Sequence, residues 1–130
     1  MAQTTQKDGN WNDTAVWVGG VLPAEGETIT INHDIIYNYD NSAMSTGYGA
    51  ITIAAGKSLT ASTTAGNYYL KMAGSITASG AGAELRAGTS GTAYPSNCTF
   101  TIYLNGNYSI DGGANNYLTC KFYCYDPPVK

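Results

Sequence analysis

Short segments in which apolar and polar residues alternate recur along this chain, and most of them end at a turn. Six of these segments start at Ile29, Ile51, Leu70, Leu85, Ile102 and Leu118. An alternation of period two is the signature of β-strands. The spacing of the segments is uneven but close to one turn of a solenoid, in which each coil stacks only on its neighbours. We therefore expect an all-β fold, namely a short right-handed parallel β-solenoid.

A second all-β architecture stays open. Asn105-Gly106 and Asp111-Gly112 are good hairpin turns in isolation, and hairpins join antiparallel strands. The strands beside these glycines are very short, however, which suits a coil that bends around a narrow core. An antiparallel β-sandwich or jelly roll is therefore the alternative to the solenoid.

The 130 residues predict one domain. We expect an N-terminal cap over residues 1–27, β coils over residues 28–125 and a C-terminal tail over residues 126–130. The tail contains Pro127 and Pro128, and proline cannot continue a strand ladder.

Charge and hydropathy patterns argue against two classes of partner, nucleic acids and membranes. The formal net charge is -3, and the six lysine and arginine residues are scattered singly, so we expect no nucleic-acid binding. No apolar run reaches the length that spans a bilayer, so we expect no membrane insertion. Residues 1–10 lack the pattern of a secretory signal.

Chemistry-bearing residues are few and spread out. The single histidine, His33, lies in a turn and is expected to face water, and the best local pair of carboxylates is Asp34 and Asp40. The three cysteines are Cys98, Cys120 and Cys124, whose redox state the sequence leaves open. We predict no catalytic residue, no metal site and no cofactor, and hence no enzyme.

Tyrosine is the most conspicuous candidate for a functional surface. The chain holds 11 tyrosines and only two phenylalanines. Most tyrosines fall on the parity opposite the apolar core positions, which predicts an outward face. The predicted binding surface comprises Tyr37, Tyr39, Tyr103, Tyr117, Tyr123 and Tyr125. Such a face can stack on sugars or pack against a second copy, or it can be ladder packing within the solenoid.

The N-terminal segment carries a recognisable motif. It reads Gly9-Asn10-Trp11-Asn12-Asp13, then Trp17, Gly19-Gly20, Pro23, Gly26-Glu27 and Ile29-Thr30-Ile31. This resembles the opening of G8-like domains and of β-helical phage and bacterial surface proteins. Independently of the resemblance, an open coil end needs a cover. We expect Trp11, Trp17, Asp13 and Pro23 to form that structural cap.

The resemblance implies architecture more specifically than function. Our first hypothesis is a non-enzymatic structural protein of a virion, a phage head, tail or fibre module that decorates the particle surface. It would self-associate, for example as a trimer, and contact other virion proteins. The alternatives are a carbohydrate-binding or adhesive module at a bacterial cell surface or outside the cell, and a fragment of a polysaccharide-active enzyme.

Overall fold

The chain folds into an all-β structure built from parallel sheets. The structure, a computed structural model, describes residues 2–78, 80–87, 94–106, 110–111 and 121–125, with only the strand backbone for residues 111 and 121–125. In chain order the strands are β1 (Ala2–Thr4), β2 (Gly9–Asn10), β3 (Thr28–Ile31), β4 (Ile35–Tyr37), β5 (Ile51–Ile53), β6 (Ser58–Ala61), β7 (Gly66–Met72), β8 (Ile76–Thr77), β9 (Glu84–Arg86), β10 (Cys98–Asn105), β11 (Ile110–Asp111) and β12 (Lys121–Tyr125). Two short 3₁₀ turns, Thr14–Val16 and Val18–Gly20, are the helical elements of the described residues.

The strands form three sheets. The five-stranded sheet has the order β1-β3-β5-β8-β11, the four-stranded sheet β2-β4-β6-β9, and the three-stranded sheet β7-β10-β12. Every ladder between these strands is parallel. The antiparallel sandwich or jelly roll is therefore wrong, since those folds pair neighbouring strands in opposite directions.

The chain visits the sheets in a repeating order. From β5 it passes through β6 and β7, and from β8 it passes through β9 and β10 before it returns to the five-stranded sheet. The two segments Ile29-Thr30-Ile31 and Ile51-Thr52-Ile53 pair in direct register, as their shared pattern suggests. The later segments at Leu70, Leu85 and Ile102 are not successive rows of one sheet. Leu85 lies in β9, whereas Leu70 and Ile102 pair with each other in the three-stranded sheet.

Rows of aliphatic side chains fill the space between the sheets. Ile29, Ile51 and Ile76 stack in one row, and Ile35, Leu59 and Leu85 stack in another. All are buried, and they belong to a single hydrophobic cluster that includes residues of all three sheets. Each such side chain contributes about 1.5–3 kcal/mol through its removal from water.

The N-terminal segment both starts two sheets and covers one sheet edge. β1 and β2 pair in register with β3 and β4, so the ladders begin within the region expected to be cap alone. Residues 15–21 then run along the free edge of β1. The Gln6 backbone N–H donates to the Val16 carbonyl at 2.7 Å, Thr5 and Trp17 form an antiparallel bridge, and Gln3 Nε2 donates to the Val21 carbonyl at 2.6 Å.

The two tryptophans of this segment are fully buried beside one another. The Trp11 ring lies 4.9 Å from the rings of both Trp17 and Tyr37, in edge-to-face contacts. Trp17 Nε1 donates to the Trp11 carbonyl at 2.8 Å, so its buried N–H group is satisfied. Asp13 Oδ1 accepts the Ala15 N–H at 3.0 Å at the start of the first 3₁₀ turn, and Pro23 is buried.

The side chain of one buried asparagine supplies hydrogen bonds to β7 at a place where the backbone beside it does not pair. Asp40 and Tyr48 each form a parallel bridge to β7, but the chain leaves the sheet between them. Asn41 fills the gap, because its Oδ1 accepts the Lys71 N–H at 2.6 Å and its Nδ2 donates to the Lys71 carbonyl at 2.9 Å. Gly47 ends the excursion at φ +114°, where a Cβ would collide with the Lys71 carbonyl oxygen.

Candidate functional site

The outer face of β7 and β10 carries two tyrosines and a lysine. Leu70 and Met72 of β7 point into the core, and the alternation of side chains places Tyr69 and Lys71 on the opposite face. Tyr103 of β10 pairs in register with Lys71 and is likewise half-buried. We call Tyr69, Lys71 and Tyr103 the tyrosine face.

The three side chains of the tyrosine face contact one another. The rings of Tyr69 and Tyr103 are stacked, with their centroids 6.2 Å apart and their planes 27° from parallel. Lys71 Nζ lies 5.6 Å from the centroid of the Tyr103 ring, within cation–π distance, and donates to the Met44 carbonyl at 2.8 Å. The face is thus aromatic and held in place by its own contacts, and tyrosine is enriched at protein interfaces.

The expectation that Tyr37 belongs to an exposed surface is wrong. Ile35 and Tyr37 point inward, and Ile36 is the residue of β4 that is 43% exposed. Tyr37 packs against Trp11 and donates its hydroxyl to the Tyr69 carbonyl at 2.6 Å. Burial raises the pKa of Tyr37 well above its ordinary value. Its neighbour in register, Ala61, is small and leaves room for the large ring.

The other predicted tyrosines have different positions. Tyr39 is half-buried and packs against the core, whereas Tyr103 lies on the tyrosine face. The strand backbone places Tyr123 opposite Tyr103 and Tyr125 opposite Asn105. Tyr117 lies outside the described residues. Tyr69 is not part of the predicted binding surface, although its alternation with Leu70 places it on the parity opposite the core.

A groove lies against the four-stranded sheet. Its volume is about 480 Å³, and it is lined by Asp8, Gly9, Asp34, Ile35, Ile36, Ser58 and Thr60. We call it the β4 groove. Gly9, Ile35 and Leu59 are paired across β2, β4 and β6. The residues that precede them in the sequence, Asp8, Asp34 and Ser58, therefore lie next to one another.

The two carboxylates of the β4 groove are fixed by backbone hydrogen bonds. Asp8 Oδ1 accepts the Asp34 N–H at 2.9 Å, and Asp34 Oδ1 accepts the Ser58 N–H at 3.1 Å. Each carboxylate thus bonds to the next strand through one oxygen. Both side chains are exposed, which leaves them accessible to a ligand in the groove.

The remaining chemistry-bearing residues do not gather at one place. Asp34 lines the β4 groove, whereas Asp40 bridges to β7 and accepts the Ser42 N–H at 2.9 Å. His33 is half-buried, contrary to the expectation that it faces water. Its Nδ1 lies 2.8 Å from Thr5 Oγ1.

Neither the cysteines nor the acids form a recognisable metal centre in the part of the chain that the structure describes. The Cys98 thiol is buried and donates to the Thr64 carbonyl at 3.4 Å. Cys120 lies outside the described residues, and Cys124 is described only as part of the β12 backbone. Among the described residues, no three His, Cys, Asp or Glu side chains are grouped to hold a metal ion.

The described residues also contain no helix of the length and apolarity that a membrane crossing needs. A comparison of the chain with protein families, curated proteins and solved structures finds no match.

Proposed function

We propose that this chain is a non-enzymatic structural module of a virus particle, folded as a short right-handed parallel β-solenoid. It acts at the virion surface, where it self-associates, with a trimer as the expected state, and contacts other virion proteins. The observation that carries the proposal is the tyrosine face, a preorganised aromatic surface on the outside of a parallel sheet.

The ladders of the three sheets support the solenoid. The passages β5-β6-β7 and β8-β9-β10 each add one parallel strand to each of the three sheets, and one hydrophobic cluster connects the sheets. Connections between parallel strands of one sheet are right-handed in about 98% of cases, which favours a right-handed coil. Stacked coils of this kind bury a continuous core that no single coil could bury alone.

The composition of the tyrosine face supports self-association. Tyrosine recurs at the centres of protein interfaces, because its ring buries a large area with little loss of conformational freedom. Tyr69 and Tyr103 are already held by mutual stacking, so their ordering costs little on binding. The tyrosine face therefore fits a second copy of this chain.

The two ends of the sheets also differ. Residues 15–21 cover the edge of β1, whereas within the described ranges β11 pairs only with β8 and β12 pairs only with β10. Unpaired strand edges are protected in native proteins, often by a partner. Residues 15–21 give the first strand of the five-stranded sheet such protection.

The virion setting is supported by the resemblance of the opening around Trp11 and Trp17 to β-helical phage proteins. Mass spectrometry of purified virus particles tests it: peptides of this chain should co-purify with the capsid or tail proteins. Their presence only among the soluble proteins of the infected cell would contradict the setting. In that case the adhesive module of a bacterial surface protein becomes the better hypothesis.

The oligomeric state tests the assembly directly. Mass photometry and cross-linking of the purified chain should show an oligomer. In a double Tyr69→Ala/Tyr103→Ala variant the dissociation constant of the oligomer should rise at least about 30-fold, because truncation of a central interface tyrosine costs about 2 kcal/mol or more. Thr52→Ala, on the outer face of the five-stranded sheet, is the matched control. A wild-type chain that stays a monomer at micromolar concentration contradicts the proposal.

A further inference from the structure

We infer that the β4 groove is a binding site for a neutral hexose unit of a glycan, held by Asp8 and Asp34 over an apolar floor. This site is separate from the tyrosine face and does not depend on self-association. The argument starts from the size of the groove: about 480 Å³ falls within the range of roughly 300–1,000 Å³ that is usual for small-ligand sites.

The carboxylates are positioned before any ligand arrives. The backbone N–H groups of Asp34 and Ser58 hold Oδ1 of Asp8 and Asp34, respectively. Neighbouring strands of a sheet lie about 4.8 Å apart, so these bonds set two acceptor groups at that spacing along the groove. A pyranose ring carries several hydroxyl donors over a similar distance. Bonds from hydroxyl donors to ionised carboxylates are shorter and about twice as strong as neutral ones.

The apolar floor of the groove matches the C–H face of a sugar ring. Ile36 is 43% exposed although it is a large aliphatic residue, and it lies two residues after Asp34 in β4, paired in register with Thr60. The backbone of Gly9 also lines the groove, because the position that a Gly9 Cβ would take is occupied by Val16. A hexose presents C–H groups on the face of its ring and hydroxyls around the edge, so it can cover Ile36 while it donates to Asp8 and Asp34.

Other ligand classes fit this arrangement less well. A calcium ion needs six to eight oxygen ligands, and an aliphatic floor supplies none. A sialylated or uronic-acid glycan would bring its own carboxylate next to Asp8 and Asp34, and like charges at that distance repel. The acidic rim and apolar floor together favour a neutral sugar.

The test uses the full chain and three simple probes: methyl glucoside, methyl mannoside and methyl galactoside. At least one should shift the backbone amide resonances of Gly9, Ile36 and Thr60 in an NMR titration. On a glycan array, neutral hexose glycans should bind in preference to sialylated ones. Binding by none of the neutral sugars overturns the inference. Selective binding of a lysine-rich peptide or of Ca²⁺ at the same amides also overturns it.

Two variants separate direct contact from loss of structure. Asp34→Asn keeps an acceptor for the Ser58 N–H, but it removes the charge and replaces the second acceptor oxygen with an amide donor, so it should weaken sugar binding about tenfold. Ile36→Ser should weaken it about fivefold, because it removes most of the apolar floor. Asp13→Asn is the matched control: Asp13 is also an exposed carboxylate that accepts a backbone N–H, but it lies outside the groove. If Asp13→Asn weakens binding as much as Asp34→Asn, the effect is one of net charge and the groove is not the site.

Discussion

The side chain of Asn41 completes a ladder that the backbone leaves open, and its removal should cost a large share of the stability of the fold. Asn41 is only 3% exposed and makes two hydrogen bonds to Lys71. In Asn41→Ala the Lys71 N–H loses its acceptor inside the protein, which costs about 1–3 kcal/mol. The Lys71 carbonyl keeps its bond from the Tyr48 N–H, so loss of the second Asn41 bond adds only about 1 kcal/mol.

The expected decrease in the free energy of unfolding is therefore about 2–4 kcal/mol, out of the 5–15 kcal/mol that is usual for a domain. Urea unfolding followed by tryptophan fluorescence measures it, since Trp11 and Trp17 are both buried in the native state. The midpoint should fall while the slope with urea stays the same.

Asn38→Ala is a matched control for this experiment. Asn38 also makes two hydrogen bonds through its side chain, both to Asn12, at 3.1 Å and 3.0 Å. These bonds lie at the surface, where water replaces them, so the loss should be only about 0.5–1 kcal/mol. Equal losses for Asn38→Ala and Asn41→Ala would refute the reasoning that burial of the Lys71 N–H sets the cost.

Two more predictions concern the backbone and the buried tyrosines. Gly47→Ala should lower the free energy of unfolding by more than about 2 kcal/mol, since Gly47 has a positive φ and no space for a Cβ beside Lys71. Gly56 also has a positive φ but has space for a Cβ, so Gly56→Ala should lose only about 1 kcal/mol. Urea unfolding compares the two variants, and equal losses would show that the contact with Lys71 is unimportant. Stability should also fall as the pH rises above about 10, because burial raises the folded-state pKa of Tyr37 and Tyr48 above the ordinary value of 10.0, and folding thus favours their protonated forms. Phenolate absorbance from these two residues should develop only with unfolding; its appearance in the native state near pH 10 would contradict their burial.

The sequence predicts the strand class and part of the register. Alternation in Ile29-Thr30-Ile31 and Ile51-Thr52-Ile53 identifies two strands that indeed pair residue by residue. The assignment of Leu70 and Leu85 to successive rows fails, because the chain makes several strands in each passage and the loops between them differ in length. A short apolar pattern shows that a strand exists, but it does not show to which sheet the strand belongs.

The candidate sites were harder to predict for a related reason. In Ile35-Ile36-Tyr37 both parities carry large apolar side chains, so alternation alone cannot decide which face is buried. The decision depends on Trp11 and Ala61, which are distant in sequence and shape the space that Tyr37 fills. The β4 groove likewise depends on the register that brings Asp8 beside Asp34, and no local motif contains that information.

The strip of residues 15–21 beside β1 protects the first edge of the five-stranded sheet. The Val21 and Val16 carbonyl groups accept hydrogen bonds from the Gln3 side chain and the Gln6 backbone, so the strip hinders the addition of a further strand at that edge. Strand addition at that edge would join copies end to end, which is a different contact from the lateral one proposed for the tyrosine face. Copies joined end to end in this way could extend into fibres, and the strip acts against that outcome at the edge it protects.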